Sequence, residues 1–365
     1  MGHSDEVSAD PAHCLADFER AAASALPADV WDFVAGGSGA ETTLDANRTA
    51  LDRVFLVPRV LRDVSQCTAD STLLGRPVPM PVAIAPVAYQ QLVHPDGEMA
   101  AARAAKAAGV PFTASTLSSV PIEEITAIGG TVWFQLYWLR DAAQSLELVR
   151  RAEDAGCQAI MLTVDVPWMG RRLRDMRNRF ALPGHVRAAN ISTGSTAHQR
   201  HADTSAVAVH TSQAFSSAMT WSSLAALRKQ TRLPLLLKGV LAAEDALRAA
   251  ESGVDAVVVS NHGGRQLDGA VPSIEALPEV AAAGGGCEVL LDSGIRSGTD
   301  VLRALALGAS GVLVGRPLIW GLAVAGEAGA RRVLDLLADE LRDALGLSGC
   351  DGVAAVRRLR AFVSA

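Results

Sequence analysis

The sequence predicts an α/β protein: a (β/α)8 TIM barrel with a helical N-terminal extension, C-terminal helices and one long loop after the fourth strand. Three observations lead there. Short apolar, β-prone runs alternate eight times with Ala/Leu/Glu/Arg stretches of helical period. The helical stretches close near glycines. Nearly every apolar run ends in a polar or ionisable residue, as expected around the C-terminal mouth of a barrel.

In chain order the expected strands are Val82–Ala85, Pro111–Ser115, Val132–Tyr137, Ala159–Asp165, Leu235–Lys238, Ala256–Ser260, Val289–Asp292 and Gly311–Val314. Between them the pattern predicts helices over Gly97–Ala108, Ala142–Ala155, Ala242–Ser252 and Gly298–Leu307, stopped by Gly109, Gly156, Gly253 and Gly308. Helical pattern also precedes the barrel at Cys14–Ala25 and Ala28–Ala35, and follows it at Gly329–Leu345. About 70 residues separate the fourth and fifth strands, and residues 183–220 are rich in Ser, Thr, His, Gln and Gly. A loop of that length inside a compact domain is expected to be a lid or a disordered segment. The expectation is one domain over 1–365, with the barrel at about 80–325 and the lid at about 183–220.

Composition excludes several functions. The 365 residues are 49% hydrophobic, enough for a large core. The net charge is −6, with both signs interspersed, so nothing suggests a nucleic-acid partner. The five cysteines form no C-x-x-C pair, which argues against zinc and a disulfide framework and for free thiols in a reducing compartment. The start MGHSDEVSADPAH has no signal pattern, the end RAFVSA is no S-K-L address, and no apolar run is long enough for a membrane span. A cytoplasmic location is expected.

The strand ends carry the chemistry. The first runs into Pro86-Val87-Ala88-Tyr89 and the second ends at Ser115. The third supplies Gln135 and Tyr137; the fourth supplies Thr163 and Asp165, then Arg172. Lys238 ends the fifth, and Ser260-Asn261-His262 with Arg265 the sixth. Asp292-Ser293-Gly294-Ile295-Arg296 and Gly315-Arg316 end the seventh and eighth, where barrels commonly hold phosphate. Small residues admit backbone N–H groups to a phosphate, and arginine adds a bidentate charge. Arg172 and Arg265 suit a carboxylate substrate, flanking a candidate acid–base pair, Asp165 and His262. Lys238 is either a Schiff-base nucleophile or the partner of an anionic cofactor, and the phosphate signal favours the latter.

Other signals are weaker. Gly36-Gly37-Ser38-Gly39 follows helical pattern and no strand, so it reads as a helix stop and not a dinucleotide loop. His198 and His201 have ligand-like spacing but lie in the polar loop, where solvation is expected.

SNHGGRQLDG, LTVDVPWMGRRLRDMRN, FQLYW, IAPVAYQQLVHPDGE, LKGV and VLVGRP together resemble the FMN-dependent 2-hydroxy-acid oxidase and dehydrogenase family, which includes glycolate oxidase, lactate oxidase and mandelate dehydrogenase. The likeness runs over about residues 15–350, with the motifs in family order. It implies His262 as base, Asp165 supporting its charge, Arg172 and Arg265 on the substrate carboxylate, and Tyr137 on the reacting oxygen. It implies Lys238 beside the flavin N1/O2 edge. Pro86, Val87, Ala88, Ser115, Gln135, Thr163 and Ser260 would lie about the isoalloxazine. Asp292, Ser293, Gly294, Arg296, Gly315 and Arg316 would hold ribityl and phosphate. It also implies a homo-oligomer, a tetramer in the family.

Two departures bear on the substrate. Phe33, in Trp31-Asp32-Phe33, stands where glycolate oxidase has a carboxylate-binding tyrosine, and Leu117 stands for a bulky tryptophan. Both favour an aryl substrate such as (S)-mandelate or (S)-4-hydroxymandelate, oxidised to the 2-keto acid with oxygen reduced to peroxide. Ser293 replaces a usual glycine, which leaves the backbone donor in place. Ala88 resembles the oxidases, but a dehydrogenase of the same family, or a lactate or glycolate oxidase, remains the alternative. An FMN-dependent isomerase barrel would leave the arginine pair with Asp165 and His262 unexplained.

Overall fold

The structure is a computed structural model that describes residues 12–191 and 195–364. Residues 1–11, where the N-terminal reading mostly falls, lie outside the described residues, as do 192–194 of the expected lid and Ala365.

Eight strands close a barrel: β1 (Val82–Ile84), β2 (Phe112–Ser115), β3 (Val132–Tyr137), β4 (Ala159–Thr163), β5 (Leu235–Val240), β6 (Ala256–Val259), β7 (Glu288–Leu291) and β8 (Gly311–Val314). Neighbours pair in parallel in chain order, and β8 returns to β1 through Val312 opposite Val82. All eight lie at the expected positions, with ends shifted by at most two residues. The four expected helices are present, with Ile122–Ala127, Leu173–Arg177, Trp221–Arg228 and Ser273–Ala283 in addition, and Gly109 caps Gly97–Ala108 at φ +69, a conformation open to glycine at no steric cost.

Alternation along each strand sorts the side chains. Val82, Ile84, Ile160, Leu162, Val257, Val259, Val312 and Val314 belong to the core packed under the outer helices. Ala83, Trp133, Ala159, Met161, Leu236, Ala256, Val258, Leu290 and Leu313 fill the barrel interior. A hairpin, Ser71–Leu73 with Arg76–Val78, adds Leu73 and Val78 to that interior cluster. One or two positions further up the same inward rows stand Ser115, Gln135 and Tyr137, Thr163, Lys238, Ser260, Asp292 and Gly315. The pleat that packs the barrel therefore delivers the polar residues to one mouth.

Three departures from the sequence reading concern the connections. The polar segment after β4 is not featureless: a 3-10 turn covers Ser195–His198 and an α-helix covers Ala206–Ala214, with Ser205 capping it by accepting from the Ala208 N–H at 3.2 Å. That helix shows no one-sided apolar stripe, because it buries His210 and Thr211 as well as Ala206 and Val207, so periodicity does not reveal it. His198 and His201 are half-buried, and His198 Nδ1 lies 3.1 Å from the Leu182 carbonyl, so neither is simply solvated. After the barrel, helix runs from Arg316 to Ser348 with a break at Ala325–Gly326, well beyond the expected Gly329–Leu345.

The N-terminal extension is bolted to the barrel mouth. Helix Ala28–Ala35 stops at Gly36, as the glycine run suggested. Helix Thr42–Asp52 carries buried Asn47, which exchanges amide bonds with Asn261 at 2.9 and 2.7 Å. Arg48 on the same helix pairs with fully buried Asp300 at 2.7 Å. Among the described residues no helix is long and apolar enough to cross a membrane, no His/Cys/Asp/Glu group could hold a metal, and all five cysteines are free.

Asn47→Leu removes both bonds of the amide exchange and leaves one buried Asn261 N–H and the Ser273 N–H without their acceptor. We expect a stability loss of about 2–4 kcal/mol in urea unfolding, and a loss below about 0.5 kcal/mol would show that the extension is not held through this pair.

Candidate active site

The barrel mouth opens into a cleft of about 1270 Å³, its open entrance included. Phe33, Pro86, Val87, Ala88, Ser115, Tyr137, Thr163, Arg172, Lys238, His262, Arg265, Asp292, Ser293, Gly294, Arg296, Gly315 and Arg316 all line it. Three expected residues stand one layer back. Asp165 lies behind His262; Gln135 donates to Thr163 Oγ1 at 2.9 Å and accepts from Ser115 at 3.1 Å; Ser260 accepts from Lys238 Nζ at 2.9 Å. Gln135 and Ser260 thus orient wall residues instead of forming the wall.

His262 follows β6 at φ +60, an uncommon conformation for a side chain of its size, held by local bonds. Its N–H donates to Ser260 Oγ at 3.0 Å, and Asn261 Oδ1 accepts the Gly264 N–H at 3.0 Å. Imidazole Nδ1 sits 3.0 and 3.2 Å from the two Asp165 oxygens, while Nε2 faces Tyr137 Oη at 3.4 Å. With Nδ1–H on the carboxylate, Nε2 carries the lone pair toward the cleft. Burial, the largest influence, holds the His262 pKa below the ordinary value of 6.5, with Asp165 working the other way and Lys238 adding to the depression. Burial also opposes the charge of Asp165, but His262 and Lys238 outweigh it, and the carboxyl lies below the usual range. Tyr137, raised to about 12 by burial and then by the Asp165 charge, stays a protonated donor.

Gly239 makes the Asp165 position possible. At φ +108 beside a bulge in β5, a Cβ there would lie 2.6 Å from Asp165 Cβ and Cγ. The adjoining Lys238 is 4% exposed and pairs with Asp292 at 3.0 Å. Burial disfavours its charge, yet Asp292 and Asp165 prevail and raise its pKa. Asp292 therefore belongs with this lysine, and a carboxylate so placed is a poor phosphate ligand. Ser293, at φ +77, donates to Asp292 at 2.7 Å and accepts from Gly263 N–H at 2.9 Å.

Four arginines face the cleft, and among the described residues none of them forms an ion pair with a carboxylate. Burial and then the charge of Arg172 push Arg265 well down; burial and then Arg296 push Arg316 down to about 9; burial lowers Arg296 to about 10. The groups fall into two pairs, Arg172 with Arg265 and Arg296 with Arg316. Arg172 Nε is buried without a partner. Cations buried this way call for anions from outside the chain. A phosphate at Arg296 and Arg316 and a carboxylate at Arg172 and Arg265 meet that need. The donor set, with Lys238 for a flavin ring and Arg296 and Arg316 for its phosphate, fits FMN.

The reading from sequence missed several lining residues. Val207, Thr211 and Phe215 come from the segment after β4, and Phe215 stacks on Tyr137 with centroids 4.4 Å apart. Their polar surroundings hid them. Phe33 stacks on Phe180 at 4.6 Å and lies under the Arg265 guanidinium at 5.4 Å. Tyr89, named after the first strand but given no role there, also lines the cleft and is the other of the chain's two tyrosines.

The profile of the FMN-dependent dehydrogenase family matches residues 22–361. The 4-hydroxymandelate oxidase of Amycolatopsis orientalis is 64% identical over 346 residues, 94% of this chain and 97% of that protein. The L-lactate oxidase of Nostoc sp. is 47% identical over 343 residues, 92% and 94% of the two chains. A crystal structure of mandelate oxidase with (S)-4-hydroxymandelic acid superposes with a TM-score of 0.95 at 62% identity, covering 97% of this chain and 99% of that one. The chain belongs to the FMN-dependent dehydrogenase family. It is an FMN enzyme of the 2-hydroxy-acid oxidase type.

Gly239→Ala forces Asp165 off the imidazole. Reduction of the bound flavin by substrate should slow by about 10²-fold or more, the scale of a general base, while the protein stays yellow. Stopped-flow rates equal to wild type would show that Asp165 needs no such clearance.

Proposed function

We propose that the protein oxidises an (S)-2-hydroxy acid bearing an aryl group, with (S)-4-hydroxymandelate or (S)-mandelate as substrate, to the 2-keto acid. The observation that carries this reading is the set around His262: a lone pair at Nε2, a phenol 3.4 Å away, two guanidinium groups with no carboxylate partner among the described residues and an apolar wall, all in one cleft. The resemblance to proteins named for mandelate and 4-hydroxymandelate supports the same substrate class.

The roles follow from charge and geometry. Arg172 and Arg265 bind the substrate carboxylate and fix its orientation. Tyr137 donates to the substrate hydroxyl. His262 takes the released proton at Nε2, and the imidazolium it becomes is stabilised by Asp165 at Nδ1. Phe33, stacked on Phe180, gives a flat apolar surface where a tyrosine would supply another carboxylate donor. Leu117 leaves room for a ring. FMN, when bound, accepts the two electrons. Lys238 supplies fixed positive charge to the ring, and Arg296 and Arg316 with the backbone at Gly294 and Gly315 hold the phosphate. Pro86, Val87, Ala88, Ser115 and Thr163 form the wall against the ring, braced by Gln135 and Ser260. Oxygen is the electron acceptor and hydrogen peroxide the second product, on the oxidase relatives. The chain works as one catalytic domain in the cytoplasm, with residues 183–220 as its lid, and as a homo-oligomer on the family resemblance.

His262→Ala should leave FMN bound and abolish anaerobic bleaching by (S)-mandelate and (S)-4-hydroxymandelate; a yellow variant that still bleaches at the wild-type rate overturns the assignment of the base. Readmitting air separates the acceptors, because an oxidase regains its yellow colour at once with peroxide release.

The base acts unprotonated, so activity is lost as pH falls through the His262 pKa. Burial depresses that pKa, which puts the acid limb of kcat/KM below pH 6.5. Asp165→Asn removes the charge that raises it, so the limb should move lower still and the plateau should drop. A limb that moves upward in this variant would contradict the pairing.

A further inference from the structure

Tyr89 is placed with unusual care for a residue that the mechanism does not use. Its backbone is at φ +56, a region that costs a bulky side chain free energy unless the surroundings impose it. Its N–H donates to the Leu117 carbonyl at 3.0 Å, which sets it beside the residue that opens room for an aromatic ring. The side chain is 1% exposed and lines the cleft, yet its hydroxyl has no hydrogen-bond partner.

The other hydroxyls of the cleft wall differ. Ser115 donates to Gln135, and Thr163 accepts from it. Thr211 donates to the Val207 carbonyl at 2.9 Å, Ser293 donates to Asp292, and Tyr137 meets His262. Among the described residues, Tyr89 carries the one lining hydroxyl left without a partner. A buried hydroxyl in that state is destabilising unless a ligand or water completes it.

Its neighbourhood indicates which ligand. Tyr89 and Leu117 line the cleft together, and the backbone bond between them seats Tyr89 against the wall where Leu117 leaves room for the ring. Burial keeps the phenol protonated, so it can both donate and accept. The matching chemistry is a second neutral hydroxyl, carried on an aromatic ring whose carboxylate is fixed by arginines.

We propose that Tyr89 Oη is the hydrogen-bond partner of the substrate's ring hydroxyl, making this cleft selective for 4-hydroxylated aryl 2-hydroxy acids over their unsubstituted counterparts. This rests on the aryl-substrate reading above. A pocket that buries a hydroxyl for a polar substrate group discriminates against analogues that leave it unpaired, more sharply than an apolar pocket discriminates by size.

The test compares wild-type and Tyr89→Phe holoenzymes. The measured quantity is the ratio of kcat/KM for (S)-4-hydroxymandelate to that for (S)-mandelate, with flavin content read from absorbance. We expect the ratio to fall by about tenfold in the variant, the scale of one buried hydrogen bond, with FMN retained. An unmoved ratio, a parallel loss on both acids, or loss of FMN overturns the proposal, the last by assigning the hydroxyl to the cofactor. Wild-type enzyme with (S)-4-methylmandelate, similar in size but unable to hydrogen-bond, gives an answer independent of whether the variant folds. Wild type should prefer the hydroxyl over the methyl by a similar factor, and equal rates overturn the proposal. Wild type that bleaches with neither mandelate nor 4-hydroxymandelate removes the functional reading itself. Wild type active on both acids with an unmoved ratio removes only the role of Tyr89.

Discussion

The cleft concentrates positive charge that the chain itself does not neutralise, and much of the architecture around it keeps that charge in place. Arg265 donates to the carbonyls of Phe33 and Gly36, both at 2.8 Å. Arg316 donates to Val34 at 3.0 Å, Gly36 at 2.9 Å and Gly263 at 3.0 Å. Phe33, Val34 and Gly36 lie at the C-terminal end of helix Ala28–Ala35, where carbonyls lack intrahelical partners and the helix dipole is negative. A helix end is a suitable anchor because it attracts a guanidinium without cancelling its charge as a carboxylate would. Arg174 and Asn178 in turn hold Asp32 of the same helix, at 3.4 and 2.7 Å. The N-terminal extension is thus part of the site: it fixes two cations and offers Phe33 as the apolar face beneath one of them.

That division explains what could be read in advance. Strand positions followed from apolar runs bounded by glycines, and the two-residue alternation put Tyr137, Thr163, Lys238 and Asp292 on the inward rows. The resemblance supplied their roles, and the cleft contains nearly all of them. What periodicity could not show is contact between distant segments. Asn47 looks like an ordinary helical polar residue, and only the closed fold sets it against Asn261, 214 positions away. Gly239 reads as a strand-end glycine until Asp165 is seen resting against its missing side chain. Helix Ala206–Ala214 lacked a stripe because its buried side carries His210 and Thr211 as well as Ala206 and Val207, while only Ser212 and Gln213 are exposed.

The base shows why these distant contacts matter. An imidazole at φ +60 carries a conformational cost that local sequence does not relieve. The cost is offset by bonds from three directions: Ser260 on its own N–H, Asp165 on the ring, and Asn261 closing the turn while tied to Asn47. Since Asn47 belongs to the extension, the N-terminal helices take part in placing the base. This favours rigidity over adaptability at His262, as expected where sub-ångström placement of a base governs rate.

Cofactor end and base share the same bonds. Asp292 pairs with Lys238 and accepts from Ser293; Ser293 takes the Gly263 N–H; Lys238 donates to Ser260, which holds the His262 N–H. The chain of contacts runs from the turn after β7 to the turn after β6 without a break. Ser293 is the member that a glycine would not provide: it accepts a strained φ of +77 and in exchange its hydroxyl links the two turns. Charge brought against Lys238 and Arg316 therefore acts on groups already bonded to the His262 turn, so filling the cofactor half of the cleft and ordering the base are coupled through one hydrogen-bonded network.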